Sequence, residues 1–516
     1  MAVAQVSASM MSARAGMQLR GKSTRASARH APLRVASCRR VTVSNAAAEA
    51  LEAERTRGGR EKLACTSALV HKAHAAKASA VAAAAWAASA APAAACAAAP
   101  AVAVGADTAW ILCSTALVLF MTIPGLSAFY GGIVKRKNVL SVLMQCFAIT
   151  CVVSVLWYTV GYSLCFSTAG MVEGQTGLGA FIGGLDKVFL AGVTKDSLQG
   201  TIPEALWALF QMTFAVITPA LMVGSFVERM KFNALMYYVV LWMFAVYFPA
   251  CHMVWGGAGS FFGDLGVIDF AGGIVVHITA GMGALIGCME LGPRKDNRMV
   301  PGNLPLTAIG TGMLWVGWYG FNGGSAVAAG ADAAFACLAT QLAAATAACV
   351  WTAQDVLQTG KATLLGACTG SIAGLATVTP AAGVVGPLGA VCLGAAAGII
   401  CRYASLTVKE KVGYDDSLDV VGVHGVGGFI GTILLSIFGS AAFGGFNPVP
   451  ASTQLPIQMF AAITTTIYTG AASYVCLKIA DKLAGGLRAP PEAEDSGMDA
   501  YSHGEAAITL SAEETR

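Results

Sequence analysis

Two histidines, His277 and His424, stand inside long apolar runs, the first a short step after Asp269 and the second after Asp419. An ionisable side chain at bilayer depth is costly and as a rule lines a pathway rather than facing lipid. Imidazole is the side chain whose unperturbed pKa lies closest to neutrality, so it can relay protons. A pair of histidines at matching places in two halves of a membrane chain points to conduction of something that carries a proton. A lone histidine in an apolar helix is more often a satisfied core group, and His252, near the end of its span, is read that way. Asp269 is placed to cap the helix that carries His277, and Asp419 is expected to play the analogous part before His424.

Composition sets the frame for these residues. The chain has 516 residues, 56% hydrophobic and 12% charged, with 60 glycines. Soluble domains carry about 25% charged residues, so this is a polytopic membrane protein. A net charge of +4 gives no argument for nucleic acid. The 15 cysteines are scattered through apolar runs without a C-x-x-C pair or metal-ligand spacing, and read as small core residues. No Walker-type glycine loop, Ser-His-Asp order or zinc-protease signature is present. The sequence therefore predicts no enzyme, no cofactor and no bound metal.

The first hundred residues read as an address rather than as fold. Residues 1–48 contain no acid but seven arginines, among many serines and alanines, as in an organelle transit peptide. Residues 49–104 form a polar linker and then an alanine-rich, export-signal-like stretch. The bland alternative is a low-complexity leader. The expected membrane domain is 105–482, followed by a tail at 483–516.

Apolar runs of about 20 residues, long enough to cross a bilayer, fall near 108–130, 138–165, 203–226, 233–254, 268–290, 304–322, 332–352, 362–379, 384–405, 419–439 and 457–480. Twelve basic residues between Lys135 and Lys411 fall in alternate loops, against Lys187 and Lys195 in the others. The positive-inside rule then puts the mature N-terminus outside and the C-terminus on the cytoplasm- or stroma-like side. With His277 in the fifth span and His424 in the tenth, the expected fold is all-α: eleven transmembrane helices as two inverted five-helix repeats plus one extra helix. Such repeats place a pathway at their interface near the midplane.

Several motifs go further: TALVLFMTIPG at 115–125, FYGG at 129–132, HMVWGG at 252–257, DFAGG at 269–273, WYGFNGGS at 318–325 and GVHGV at 422–426. With them the chain resembles the ammonium transporter, methylammonium permease and Rhesus protein family over roughly residues 100–505, and bacterial ammonium transporters more closely than Rhesus proteins. The resemblance implies a homotrimer with one pore per subunit. It assigns Phe214, Trp255 and Ser325 to an outer mouth that takes up substrate, and Phe214 with Phe321 to a stacked gate. It makes His277 and His424 a hydrogen-bonded pore pair. Asp269 lies beneath the mouth, and Thr379 near the outer end of the pore. Without the resemblance the aromatics read as ordinary packing or belt residues.

The physics suits ammonium. Aromatic faces attract a cation, worth about 0.5–2 kcal/mol, and a serine oxygen accepts an N–H. Dehydrating any ion in an apolar pore costs far more. Ammonium, unlike K⁺, has an escape, since it can lose a proton and cross as NH₃. The expected function is ammonium transport: NH₄⁺ captured, deprotonated, NH₃ conducted past the histidines, the proton relayed separately and net NH₄⁺ uniport favoured. Methylammonium is the expected analogue. The rivals are an ammonium sensor with little flux and an NH₃, CO₂ or urea channel. The tail resembles the family's regulatory tail, but Tyr501 or Ser502 stands where plant relatives carry a regulatory threonine. A PII-type signalling protein is a further expected partner, besides membrane lipid. The leader favours a plastid membrane (chloroplast inner envelope or thylakoid), with the plasma membrane as the alternative.

Overall fold

The structure, a computed structural model, describes residues 102–298 and 300–507. The expected transit peptide and nearly all of the export-signal-like stretch lie outside the described residues.

In chain order the long helices are α1 (Gly105–Ile133), α2 (Arg136–Phe166), α3 (Glu204–Phe226), α4 (Phe232–Trp255) and α5 (Gly273–Leu291). Then come α6 (Leu304–Trp318, continued by a π-turn at Tyr319–Gly323), α7 (Ala331–Thr359), α8 (Leu364–Ala381), α9 (Pro387–Val412), α10 (Val421–Phe438) and α11 (Ala451–Ala484). All but α6 are long and apolar enough to cross a membrane, ten helices among the described residues. The protein is a multi-pass integral membrane protein. The expected span at 304–322 is helical throughout but falls outside the ten, because glycines, threonines, Trp318 and Asn322 dilute its apolar character. The expected boundaries also ran short: α7 and α11 extend past the apolar runs, since polar turns continue a helix beyond the bilayer.

Packing follows the expected repeat. α1 lies against α6, and α5 against α10, so the first and last helices of each five-helix set meet their counterparts. The α5–α10 contact is reciprocal. Gly281, four residues after His277, packs on the backbone of Gly425, and Gly428, four residues after His424, packs on His277 and Gly273. Any Cβ at either glycine would overlap the facing backbone or Cβ. Small residues at such crossings let helices approach closely. α11 covers the outside of α4, α5 and α10.

The loops at the basic end are tied by a charge network. Arg294 sits between Glu228 at 2.8 Å and Asp415 at 2.9 Å, all three side chains nearly buried. Burial works against the Arg294 charge, but Asp415 and Glu228 outweigh it and hold its pKa above the ordinary value. Burial likewise opposes the Asp415 carboxylate, and the Arg294 guanidinium overcomes it and holds the carboxyl below its usual range. Arg229, fully buried, donates to the carbonyls of Gly292 and Asp415 and to Ser417.

The tail closes over this end with two short helices, α12 (Pro491–Ser496) and α13 (Met498–His503). Asp499 accepts the Leu140 and Ser141 N–H groups at the start of α2, and Asn138 accepts the Met498 N–H. Tyr501 points outward, whereas the Ser502 hydroxyl is covered and unpartnered among the described residues.

Candidate functional site

The two histidines are presented by irregular backbone. His277 lies in a π-helical turn, Gly273–Ile278, opening α5, and His424 in another, Val421–Gly425, opening α10. Such turns are uncommon and cluster at functional positions. Here they bring both rings to the α5–α10 crossing. The rings stack 5.1 Å apart with their Nδ1 atoms 3.2 Å from one another. In that contact one nitrogen donates and the other accepts. The two Nε2 atoms are therefore opposite in kind, one N–H and one lone pair. His277 Nε2 is buried with no protein partner among the described residues.

Aromatic rings continue the column from His277 toward the opposite end from the basic loops. Phe321 lies 6.1 Å from His277, stacks on Phe214 at 4.3 Å, and Phe214 meets Trp255 edge-on at 5.7 Å. Phe214 and Phe321 are both buried, so the pair closes the column with ring faces. Trp255 is the last residue of α4 and is partly buried. Ser325 sits one turn past Phe321 and donates its hydroxyl to the Phe321 carbonyl at 2.8 Å. Its oxygen keeps free lone pairs, but no hydrogen bond joins it to the Trp255 indole among the described residues, since that N–H goes to the Asp269 carbonyl. The structure thus brings Trp255, Phe214, Phe321, His277 and His424 into one column, with Ser325 beside its upper end.

Asp269 holds the start of α5. Its two carboxylate oxygens accept the N–H groups of Gly272, Gly273, Ile274 and Val275 at 2.5–3.1 Å. Its own carbonyl accepts the Trp255 indole N–H at 2.9 Å. One residue therefore satisfies the helix N-terminus and aims the tryptophan. The carboxylate is spent on backbone, as the capping expectation has it.

The analogous part does not fall to Asp419. That side chain forms an ion pair with Lys409. Asp416 takes the place instead: its carboxylate accepts the Val421 N–H at 2.8 Å and the Ser225 hydroxyl. Asp416 precedes His424 by eight residues, the spacing between Asp269 and His277. Equal spacing was the available signal, and mere proximity to the histidine misled. Val421, the first helical N–H, lies five positions after Asp416, and the chain between them turns left-handed at Asp419, at φ +62°.

Thr379 lies near the C-terminal end of α8. It is fully buried, donates to the Leu375 carbonyl and accepts the Trp318 indole N–H at 2.9 Å. Trp318 in turn stacks on His277, ring centroids 5.7 Å apart. Thr379 supports the wall behind a histidine, and Trp318 is a column residue that the sequence reading missed. His252 has its ring nitrogens 2.8 Å from the Cys165 and Gly179 carbonyls, and a neutral ring donates its one N–H to one of the two, tying α4 to α2 or to the loop.

A family model described as the Ammonium Transporter Family matches residues 109–508. The chain belongs to the ammonium transporter family. Among curated proteins it is 44% identical over 412 residues to a "Putative ammonium transporter" of Methanothermobacter thermautotrophicus, covering 78% of this chain and 98% of the relative. It is 42% identical over 411 residues to an "Ammonium transporter" of Aquifex aeolicus, covering 78% and 93%. Among solved structures, Mep2 of Candida albicans superposes with a TM-score of 0.68 at 32% identity, over 76% of this chain and 87% of that one. A chain titled "Sensor Amt Protein" gives 0.70 at 26% identity, over 77% and 98%.

Proposed function

We propose that this family member transports ammonium across its membrane through the ring column. The observation that carries the reading is the buried histidine pair, with Nδ1 atoms 3.2 Å apart and the His277 Nε2 unmet in apolar surroundings. A small neutral solute with both N–H groups and a lone pair, such as NH₃, satisfies donor and acceptor alike. Among the described residues a metal cation finds no ring of carbonyls or carboxylates in the column.

The steps follow from the residues. NH₄⁺ settles against Trp255, Phe214 and the Ser325 oxygen. It loses a proton there, because its full charge is not repaid below the Phe214–Phe321 stack. NH₃ slips past the two rings as their side chains turn, then hydrogen-bonds along His277 and His424. The histidines give the stripped proton a separate relay, which makes the net event NH₄⁺ uniport. Asp269 and Asp416 fix the backbone from which both histidines project, and Thr379 fixes Trp318.

The finer assignments are proposals of the same kind: α6 as an eleventh span, a homotrimer, a C-terminus on the cytoplasm- or stroma-like side, and a plastid membrane reached by the leader at 1–48 and 49–104. The membrane domain is 105–482 and the tail 483–516. Control through the tail near Tyr501 and Ser502, or by a PII-type protein, belongs here too.

Reconstituted liposomes test the reading. Wild type is expected to give ammonium-dependent current without K⁺ current. His277→Asp and His424→Glu are expected to change the ratio of current to NH₃ flux. If the pair replaced by alanine carried the same current with the same K⁺ exclusion, the relay would be wrong. Ammonium-dependent swelling with electrically silent membranes would make the protein a gas channel, and binding without flux would make it a sensor.

A further inference from the structure

On the mouth side, the loop between α2 and α3 places a large apolar ring where a soluble loop would avoid one. Phe189, in the short turn Val188–Leu190, is 60% exposed, and both Phe189 and Leu190 sit in the left-handed region at φ +56°. Side chains with a Cβ are rarely found there, and such strain persists only where the surroundings hold it. The same loop uses glycine at its other left-handed positions, Gly170, Gly174, Gly192 and Gly200. The surroundings do hold it. Ser163 of α2 accepts the Lys187 N–H and donates to the Gly184 carbonyl, and Lys187 pairs with Glu204 at the start of α3. Leu190 packs inward against the core while Phe189 is left outside.

Where Phe189 points is set by α2. The Phe189 ring meets the edge of Tyr158, centroids 5.8 Å apart. Tyr158 ends an exposed stripe on α2: Met144, Phe147, Cys151, Val155 and Tyr158, at steps of three and four residues, while Cys146, Ile149, Val153 and Trp157 on the other face are buried. From Val139, just past the basic Arg136 and Lys137, to Tyr158 the helix rises about 30 Å, the thickness of the hydrocarbon core. Tyr158 and Phe189 thus lie at the level where aromatic belts sit. The stripe is bulky, unlike the small residues that helices use against other helices. The alanine-rich α7 suits a protein contact far better.

We propose that the turn at 185–190 is an interfacial anchor, with Phe189 and Tyr158 wedged together into the headgroup–acyl boundary of the mouth-side lipid leaflet. Leu185, also exposed, adds to the same patch. The anchor ties the level of the membrane surface to α2, and through Lys187 and Glu204 to the start of α3, the helix that carries Phe214.

The test uses the full chain in phosphatidylcholine nanodiscs with Phe189→4-trifluoromethyl-Phe, which adds its label to an exposed ring. Its ¹⁹F relaxation is measured with headgroup spin-labelled lipid and, separately, with a soluble gadolinium chelate. Stronger enhancement from the lipid label supports the anchor. Stronger enhancement from the chelate places the ring in water and overturns it. A response to neither probe places the ring against another protein surface and overturns it too. Phe147→4-trifluoromethyl-Phe serves as the second variant: it should respond to acyl-chain spin label, and if it does not, the stripe does not face lipid and the proposal fails.

Discussion

Removing the Asp269 carboxylate should destabilise the whole protein, and the size of the effect follows from its contacts. Four backbone N–H groups at the start of α5 converge on two oxygens at 2.5–3.1 Å, in a fully enclosed place. A hydrogen bond to a charged group contributes about 1.5–3 kcal/mol, but four donors sharing one carboxylate do not add. Single helix caps cost about 0.5–2 kcal/mol when lost. Asp269→Ala is therefore expected to cost about 3–4 kcal/mol, above one cap and below the sum of four bonds. Asp269→Asn keeps one acceptor but turns an NH₂ toward the donors, and should cost about 2 kcal/mol. Denaturant unfolding in detergent micelles measures both. Transport should fall with stability, because Trp255 loses the fixed carbonyl that orients it. Two outcomes would refute the reasoning: Asp269→Ala within about 1 kcal/mol of wild type, or unchanged stability with only a raised ammonium KM. The second would mean that the carboxylate acts on the solute and not on the backbone.

Other expectations come from the same geometry. Gly281→Ala should push α5 away from α10, costing about 1–3 kcal/mol, and should abolish flux; Gly428→Ala should do the same, and the double variant should cost less than the sum in the same unfolding assay. Thr379→Val leaves the buried Trp318 N–H without its acceptor and should cost about 1–2 kcal/mol, whereas Thr379→Ser should be nearly neutral. Asp415 has a folded pKa below its usual value, so its stabilisation is present above the unfolded pKa of about 4 and is lost as pH falls through the folded pKa. Melting curves of wild type and Asp415→Asn should differ at pH 7 and at pH 5 and converge only well below pH 4; an equal gap at all pH values would show that Asp415 contributes through shape and not charge.

Much of this protein is legible in its sequence because a bilayer imposes strong local rules. Backbone polar groups cannot go unpaired in hydrocarbon, so each apolar run of sufficient length must become a helix. The runs, their glycine spacing and the two histidines together give the helical class and the repeat. The motifs at 252–257, 269–273 and 318–325 single out Trp255, Asp269 and Phe321 before any coordinates. α6 shows the limit: its hydropathy is diluted by the residues that build the column, so the segment carrying Phe321 gives a weak membrane signal.

What only the tertiary structure decided is which side chains meet. Asp419 lies nearer to His424 in sequence, yet Asp416 holds the helix start, because a left-handed turn at Asp419 carries that carboxylate to Lys409 instead. Thr379 carried no local sign of its contact with Trp318, since the two are 61 residues apart. The histidines, 147 positions apart, meet only because paired glycines let α5 and α10 cross closely enough for the Nδ1 atoms to touch. Residue types and spacing are properties of the chain, so the sequence determines them. Contacts between distant segments depend on how helices pack against one another, and that exists only in the folded molecule.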